Sequence, residues 1–337
     1  TSRPRTSTAQ GHRQTPSGQG YTERQYPVDK QIRMASTHLG SARRLVNGCM
    51  ALTHKADLHR LYQWLRTQQP TSYRVLGHLK SCLSGVVKNE VVVNRWPRPT
   101  VVILKPPPGE EHDMADRMCS IFTTDESSCK ETLMDEHAMD WSKPWTLGGF
   151  DTSLKPFIED LARKHGGSPQ ADAESCHMMH ISPTDLNKIH PQLPTGYYPS
   201  HLTPGHASLI TALWPYQEQG ITELMARVLA QGLPAHCVRQ AATGQLVGWT
   251  LTMADHSVAM GYVSPAHRRR GLSTYLAYRT AMDLVKDGMP AYGHLVKSNS
   301  VSIAMTARMG WQIIPGVDVT WLNYTPARVS QRATATA

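Results

Sequence analysis

The stretch His267-Arg-Arg-Arg-Gly-Leu-Ser273 most constrains what this chain can fold into, because of what stands on either side of it. Upstream, Val258-Ala-Met-Gly-Tyr-Val263 reads as a buried strand. Downstream, Leu272, Tyr275, Leu276, Tyr278, Met282 and Leu284 recur at roughly helical spacing and predict a helix over 272–286. A basic turn containing glycine, set at a helix N-terminus, points unpaired backbone N–H groups outward. With the positive end of the helix dipole behind them, these groups form an anion site that suits a diphosphate. Gly271 allows a left-handed backbone there, and the short Ser273 keeps the first turn uncrowded. A solvated Arg-rich loop that merely opens a helix is the plainer reading, and the loop alone does not decide between the two.

The rest of the second half reads as strands and helices in alternation. Strands are expected at His177–Ile181, His236–Gln240, Gln245–Met253, Ala291–Val296 and 311–324, with a turn at Ala242-Thr-Gly244. Helices are expected at Pro183–Ile189, His206–Leu213, Ile221–Ala230 and 299–309. In the first half, Leu58, Leu61, Tyr62 and Leu65 put one apolar face on a helix over Ala56–Arg66, which Pro70 ends. Strands are expected at Tyr73–Leu79, Glu90–Asn94, Val101–Lys105 and Met118–Thr123. Asp125 is a candidate cap for a helix reaching about Met139, and Leu154–His165 is a second helix. Residues 168–174, rich in Ser, Pro, Ala and Asp, read as a linker. The order suits a mixed sheet with helices on both faces, an α/β or α+β domain, and the first half could be a degenerate copy of the same unit.

The loop resembles the acyl-CoA pyrophosphate loop of the GNAT superfamily of N-acyltransferases, whose pattern is Gln/Arg-x-x-Gly-x-Gly/Ala; Ser273 is a small departure at its last position. Asn299-x-x-Ser302 followed by Met309-Gly310-Trp311 resembles the superfamily's last helix and its exit. More specifically, the chain resembles the glycine N-acyltransferase family in five ordered landmarks: Ser72–Gly77, Val91–Pro97, His206–Trp214, Val247–Trp249 and Pro265–Gly271. The resemblance covers roughly residues 50 to 325. It implies a GNAT acyltransferase fold over 175–325 with a mixed, mostly antiparallel central sheet. An N-terminal α/β domain over 50–170 would precede it; residues 1–49, rich in Ser, Thr, Gln, Gly and Arg and poor in apolar periodicity, read as a disordered basic extension, and 326–337 as a tail.

The resemblance also implies a reaction: transfer of an acyl group from acyl-CoA, a co-substrate and not a resident cofactor, to the amine of glycine or a related amino acid. The acyl-CoA would be held by Arg268, Arg269, Arg270, Gly271, Leu272, Ser273 and Asn299, with a backbone N–H at Tyr262 or Val263 polarising the thioester carbonyl. The family's Glu base aligns with Ser257, which cannot take a proton near neutral pH as a carboxylate does. Asp255 and His256 stand just before it; either could serve, directly or through water, or the pair is simply a hairpin turn. The Tyr that often protonates the leaving thiolate has no counterpart, since Thr306 holds that position. His206 and Trp214 are either acceptor-site or core residues, and Gln217-Glu-Gln-Gly220 departs from the family's Gly-Gly. Three alternatives stay open: a CoA-binding pseudoenzyme, a protein-lysine or polyamine acetyltransferase, and a nucleic-acid binder.

Charge argues against the last. The net charge is +9, yet residues 1–49 hold eight Lys/Arg and two Asp/Glu, leaving +3 for the remainder. That extension is basic, hydroxyl-rich and nearly without acids, as a mitochondrial presequence is, although a vestigial or untranslated tail would look the same; a cytoplasmic location is the alternative. No apolar run approaches the roughly 20 residues that span a bilayer. The six cysteines form no CxxC pair, which suits free thiols in a reducing compartment. Cys176-His177 with His180 lacks a second pair at matching spacing, so no metal is expected.

Overall fold

The computed structural model describes residues 43–44, 48–109, 117–172, 174–215 and 220–327. Apart from Arg43–Arg44 and Gly48–Cys49, the basic extension lies outside them, as do 328–337 and Gln217-Glu-Gln. The first half runs β1 (Arg43–Arg44), β2 (Met50–Leu52), α1 (Lys55–Arg66), α2 (Tyr73–Ser84), β3 (Glu90–Val93), β4 (Val101–Lys105), β5 (Met118–Thr123), α3 (Glu126–Leu133), β6 (Trp145–Asp151), α4 (Lys155–Lys164) and β7 (Gly167–Ala171). The second half opens with β8 (Cys176–Ile181), the short α5 (Pro183–Leu186), β9 (Tyr197–His201), α6 (Ala207–Ala212) and α7 (Ile221–Ala230). It continues through β10 (Ala235–Gln240), β11 (Leu246–Thr252), β12 (Val258–Val263), α8 (Leu272–Lys286), β13 (Ala291–Val296), α9 (Ser300–Arg308) and β14 (Gln312–Pro326).

One sheet carries both halves, in the order β1-β2-β3-β4-β5-β6-β14-β8-β13-β12-β11-β10-β9, with β7 also paired to β14. From β2 and from β9 the chain repeats one order: strand, two helices, three antiparallel strands, helix, parallel strand, helix, strand. The parallel pairs are β5 with β6 and β12 with β13. The halves meet where β14 lies between β6 and β8.

Several expectations need correction. Tyr73–Leu79 is not a strand; it is the core of helix α2, in which every residue from Tyr73 to Leu79 is buried. Its short run Val75-Leu76 and Leu79 among Arg74, Gly77 and His78 fits a helix face or a buried strand, and so short an apolar run does not separate the two. The 168–174 linker is largely β7, which pairs with β14 from Pro326 back to Leu322. Strands β6 and β9 went unread: β6 holds Gly148-Gly149, and β9 contains Pro199. The helix after Asp125 stops at Leu133, although Asp125 does cap it by accepting the Ser127 and Ser128 N–H groups. The helix at Pro183 ends at Leu186, not Ile189.

Helix α2 sits at the junction. One side packs with Leu61, Val91, Val102, Leu104 and Phe122 of the first half, and Tyr73 packs with Met178, Tyr292 and Val319 of the second. Gly77 makes the close approach possible: a Cβ there would overlap the Asp255 carbonyl oxygen in the β11–β12 turn. The second-half sheet is covered on both faces. Val238, Val247 and Val263 face Leu272 and Leu276 of α8, while Cys237, Trp249 and Leu251 face α6 and α7.

Candidate active site

Two neighbouring strands part at the centre of the second half. β12 and β13 run parallel but share one register pair, Val258 with Gly293. β13 is fully paired on its other side, from Ala291–Ile181 to Val296–Cys176. The cause of the parting is legible in β12. Its pairing with β11 shifts between Trp249 and Leu251, and Met260 stands at a φ of 52°, as in a bulge that adds a residue and bends the strand. Beyond the bulge, Ser264 N–H donates to Val247 O at 2.8 Å. By the alternation of ladder groups, the Val263 N–H and C=O point the other way, toward the splay. The Val263 carbonyl accepts from Arg268 Nε at 3.0 Å, a side chain in place of a strand partner.

The anion loop follows directly. Gly271 is the N-cap of α8 with a φ of 78°, and Arg269 is left-handed at 60°. The N–H groups of Leu272, Ser273 and Thr274 open the helix and have no intrahelical acceptor. Arg268, Arg269, Arg270 and Gly271 are exposed; Leu272 is buried and anchors the turn. Tyr197 of β9 fixes the loop's first residue, its hydroxyl 2.9 Å from His267 Nδ1. His256, Met260 and Arg269 are the non-glycine residues at positive φ among those described, and all three lie within the 14 residues from 256 to 269. Such backbone strain persists only where the surroundings impose it, and it gathers at functional sites.

Asp255, His256 and Ser257 form the β11–β12 turn, but they are not on the surface: their exposures are 4%, 5% and 3%. Helix α2 covers them. Arg74 is ion-paired with Asp255, and Ser257 donates to Asp255 Oδ1 from Oγ at 2.6 Å and from N–H at 3.0 Å. Burial opposes the carboxylate's charge, but the Arg74 guanidinium and the Ser257 hydrogen bonds more than offset it, holding Asp255 well below the usual range. Tyr292 Oη donates to the Asp255 carbonyl at 2.7 Å. Ser257 therefore serves Asp255 as a hydrogen-bond donor. His256 packs with neither ring nitrogen bonded, and burial lowers it to about 4.

Sequence reasoning missed three residues of this cluster. Arg74 lay in a misread strand, with its guanidinium against Gly148 and Gly149 and over the Trp321 ring at 5.7 Å. Tyr292 and His294 looked like ordinary strand residues. His294 is the first residue of β13 past its contact with β12, and its Nε2 is buried without a partner. Charge and aromatic groups flanking a strand end were the available signal.

The remaining expected site residues are dispersed. Asn299 caps α9, its Oδ1 accepting the Ser302 N–H at 3.1 Å. Thr306 donates to Ser302 O at 2.9 Å. His206 Nδ1 lies 2.9 Å from Thr203 Oγ1, and Trp214 packs against the α6–α7 core. Trp249 stacks on Tyr262 with ring centroids 4.6 Å apart. Cys176 and His177 alternate across β8, and His177 meets Asp318 at 3.2 Å.

The profile of the aralkyl acyl-CoA:amino acid N-acyltransferase family matches residues 49–220, and that of its C-terminal region matches 237–326. The chain belongs to this family. The acyltransferase is 24% identical over 273 residues to glycine N-acyltransferase of Rattus norvegicus, covering 74% of this chain and 90% of that one. It is 24% identical over 282 residues to the Homo sapiens glycine N-acyltransferase, covering 77% and 93%. An X-ray structure of a Drosophila protein superposes with a TM-score of 0.69 at 17% identity, covering 83% of this chain and 99% of that one; this likeness is one of fold. Among the described residues, no helix is long and apolar enough to cross a membrane.

Proposed function

We propose that this acyl-CoA-dependent amino acid N-acyltransferase uses glycine or a closely related small amino acid as acceptor. The observation that carries the reading is the anion loop at the N-terminus of α8, placed at the end of the strand that parts from β13. The loop's amides and the arginines beside them would take the diphosphate of acyl-CoA. The thioester arm would lie in the splay, where the Val263 N–H faces the carbonyl as negative charge develops on its oxygen. Holding acyl donor and amine together in that cleft supplies much of the rate.

The glycine N-acyltransferases among its relatives support the acceptor, and the basic residues 1–49 support a mitochondrial address. Titration of acyl-CoA into the wild type and into Gly271→Val tests the binding half. Tight binding to the wild type, weakened in the variant, is expected; equal binding by both would remove the loop from the site. One observation favours a second reading, a CoA-binding protein without turnover: Ser257, at the position of the expected acid, is buried and bonded to Asp255. That reading predicts acyl-CoA binding with no amide product by mass spectrometry.

A further inference from the structure

The family resemblance leaves the amine's proton without an acceptor at position 257, and Asp255 is committed to Arg74. His294 is the titratable side chain that the fold leaves free beside the splay. It follows Gly293, the one β13 residue paired with β12. Tyr292, His294 and Val296 share one face of β13 with Tyr73, Tyr292 being in its core, whereas Ala291 and Leu295 pack toward α8. The His294 ring thus stands on the face opposite the helix that carries the anion loop. It is half-buried and held edge-on by Tyr292 at 5.5 Å and by Trp321 at 5.2 Å. Its Nε2 is buried with no hydrogen-bond partner, and so is Arg74 Nε. Orphaned buried nitrogens are rare in native proteins and call for an explanation such as a ligand or a bound water.

We propose that His294 takes the proton from the attacking amine, in place of the carboxylate that the resemblance puts at position 257. This assignment rests on the acyltransferase reading above. The neutral amine adds to the thioester carbonyl, forming the N–C bond, and the nitrogen becomes strongly acidic. One N–H proton passes to Nε2 of His294. The C–S bond then breaks, and the coenzyme A thiolate takes that proton from the imidazolium, leaving an amide and free CoA thiol. Burial lowers His294 to about 4, with Asp255 opposing and Arg74 adding, so the imidazole is neutral and able to accept at pH 7. The groups around it are Asp255 from the β11–β12 turn, Arg74 from α2, Tyr292 on its own strand and Trp321 from β14.

The test uses the full chain, with CoA thiol release read against glycine and against aminoacetonitrile, whose nitrogen is more acidic after attack and loses its proton to water more readily. His294→Gln should lower kcat/KM for glycine by about 10²- to 10⁴-fold while acyl-CoA binding stays intact. With rates expressed per unprotonated amine, so that the substrate's own ammonium ionisation drops out, the acid limb should vanish, and the deficit should shrink with aminoacetonitrile. A variant with wild-type rate and an unchanged acid limb overturns the assignment and leaves the acyltransferase reading standing. A wild type that binds acyl-CoA but acylates no amine overturns that reading and the assignment with it. If His294→Gln fails to bind acyl-CoA because it is unfolded, the wild type decides: with rates again expressed per unprotonated amine, an acid limb for glycine that weakens with aminoacetonitrile supports the proposal, and identical limbs contradict it.

Discussion

Replacing Arg74 by methionine isolates the interaction that joins the two halves at the candidate site. The Arg74 and Asp255 side chains are 7% and 4% exposed, so removing the guanidinium strands a carboxylate in the interior. Breaking a buried pair from one side costs about 3–5 kcal/mol, and loss of the contact over Trp321 adds roughly 0.5–1 kcal/mol. Methionine returns part of the lost packing, so a net loss of about 4 kcal/mol is expected. The double variant Arg74→Met/Asp255→Asn removes both charges and keeps an oxygen for the Ser257 hydrogen bonds; it should recover most of the loss. Urea unfolding of the wild type, both single variants and the double variant reads the coupling.

The pH dependence carries a definite sign. In the wild type Asp255 lies below its unfolded value, so its stabilising contribution is complete above the unfolded value and is lost as pH falls through the folded one. In Arg74→Met the unpaired carboxyl should rise above its unfolded value, so its cost is full at neutral pH and eases as acid protonates it. The gap between wild type and variant should therefore narrow between neutral pH and about pH 5. A gap below about 1 kcal/mol at neutral pH, or one that does not change with pH, would refute the reasoning.

Other consequences can be checked more simply. Gly77→Ala drives a methyl into the Asp255 carbonyl and should cost about 1–3 kcal/mol or more, seen as a lower melting temperature; unchanged melting would contradict the close packing of α2. Gly271→Val puts a β-branched residue at a φ of 78° and should weaken acyl-CoA binding about tenfold or more by titration, although nothing stands within 4 Å of the added Cβ. Burial lowers His78, His256 and His294 to about 4, below the ordinary histidine value, so the unfolded chain binds more protons between those limits. Stability should consequently fall as pH drops from about 6.5 toward 4, and a flat melting temperature over that range would count against the neutral buried rings.

Much of the second half was legible because its elements are half-exposed and keep their periods. The strand at 258–263 and the helix at 272–286 were read to the residue. The loop between them announced itself through charge and glycine at a helix start. What failed was a short apolar run that fits either a helix or a strand, since β4, buried at every position, was legible. Helix α2 buries every residue from Tyr73 to Leu79, and nothing in that run marks Arg74 as the partner of an aspartate in the second half. A hairpin turn at Asp255-His256 was one of two readings open in the sequence, which held no sign that a helix far earlier in the chain would cover it. Long-range placement of that kind depends on how two repeated units share one sheet. Local propensity does not encode it, and neither does spacing. His294 was invisible for the same reason: a histidine in a strand gains meaning only when the neighbouring strand parts from it.

The most direct test of the central claim is CoA thiol release by the full chain, crossing acetyl-, benzoyl- and long-chain acyl-CoA with glycine, glutamine and a lysine peptide. Release that requires an amino acid acceptor, strongest with glycine or a close relative, and a matching N-acyl product by mass spectrometry are the predicted result. Binding of acyl-CoA with no acceptor-dependent release for any pair, or release with the lysine peptide alone, would contradict it.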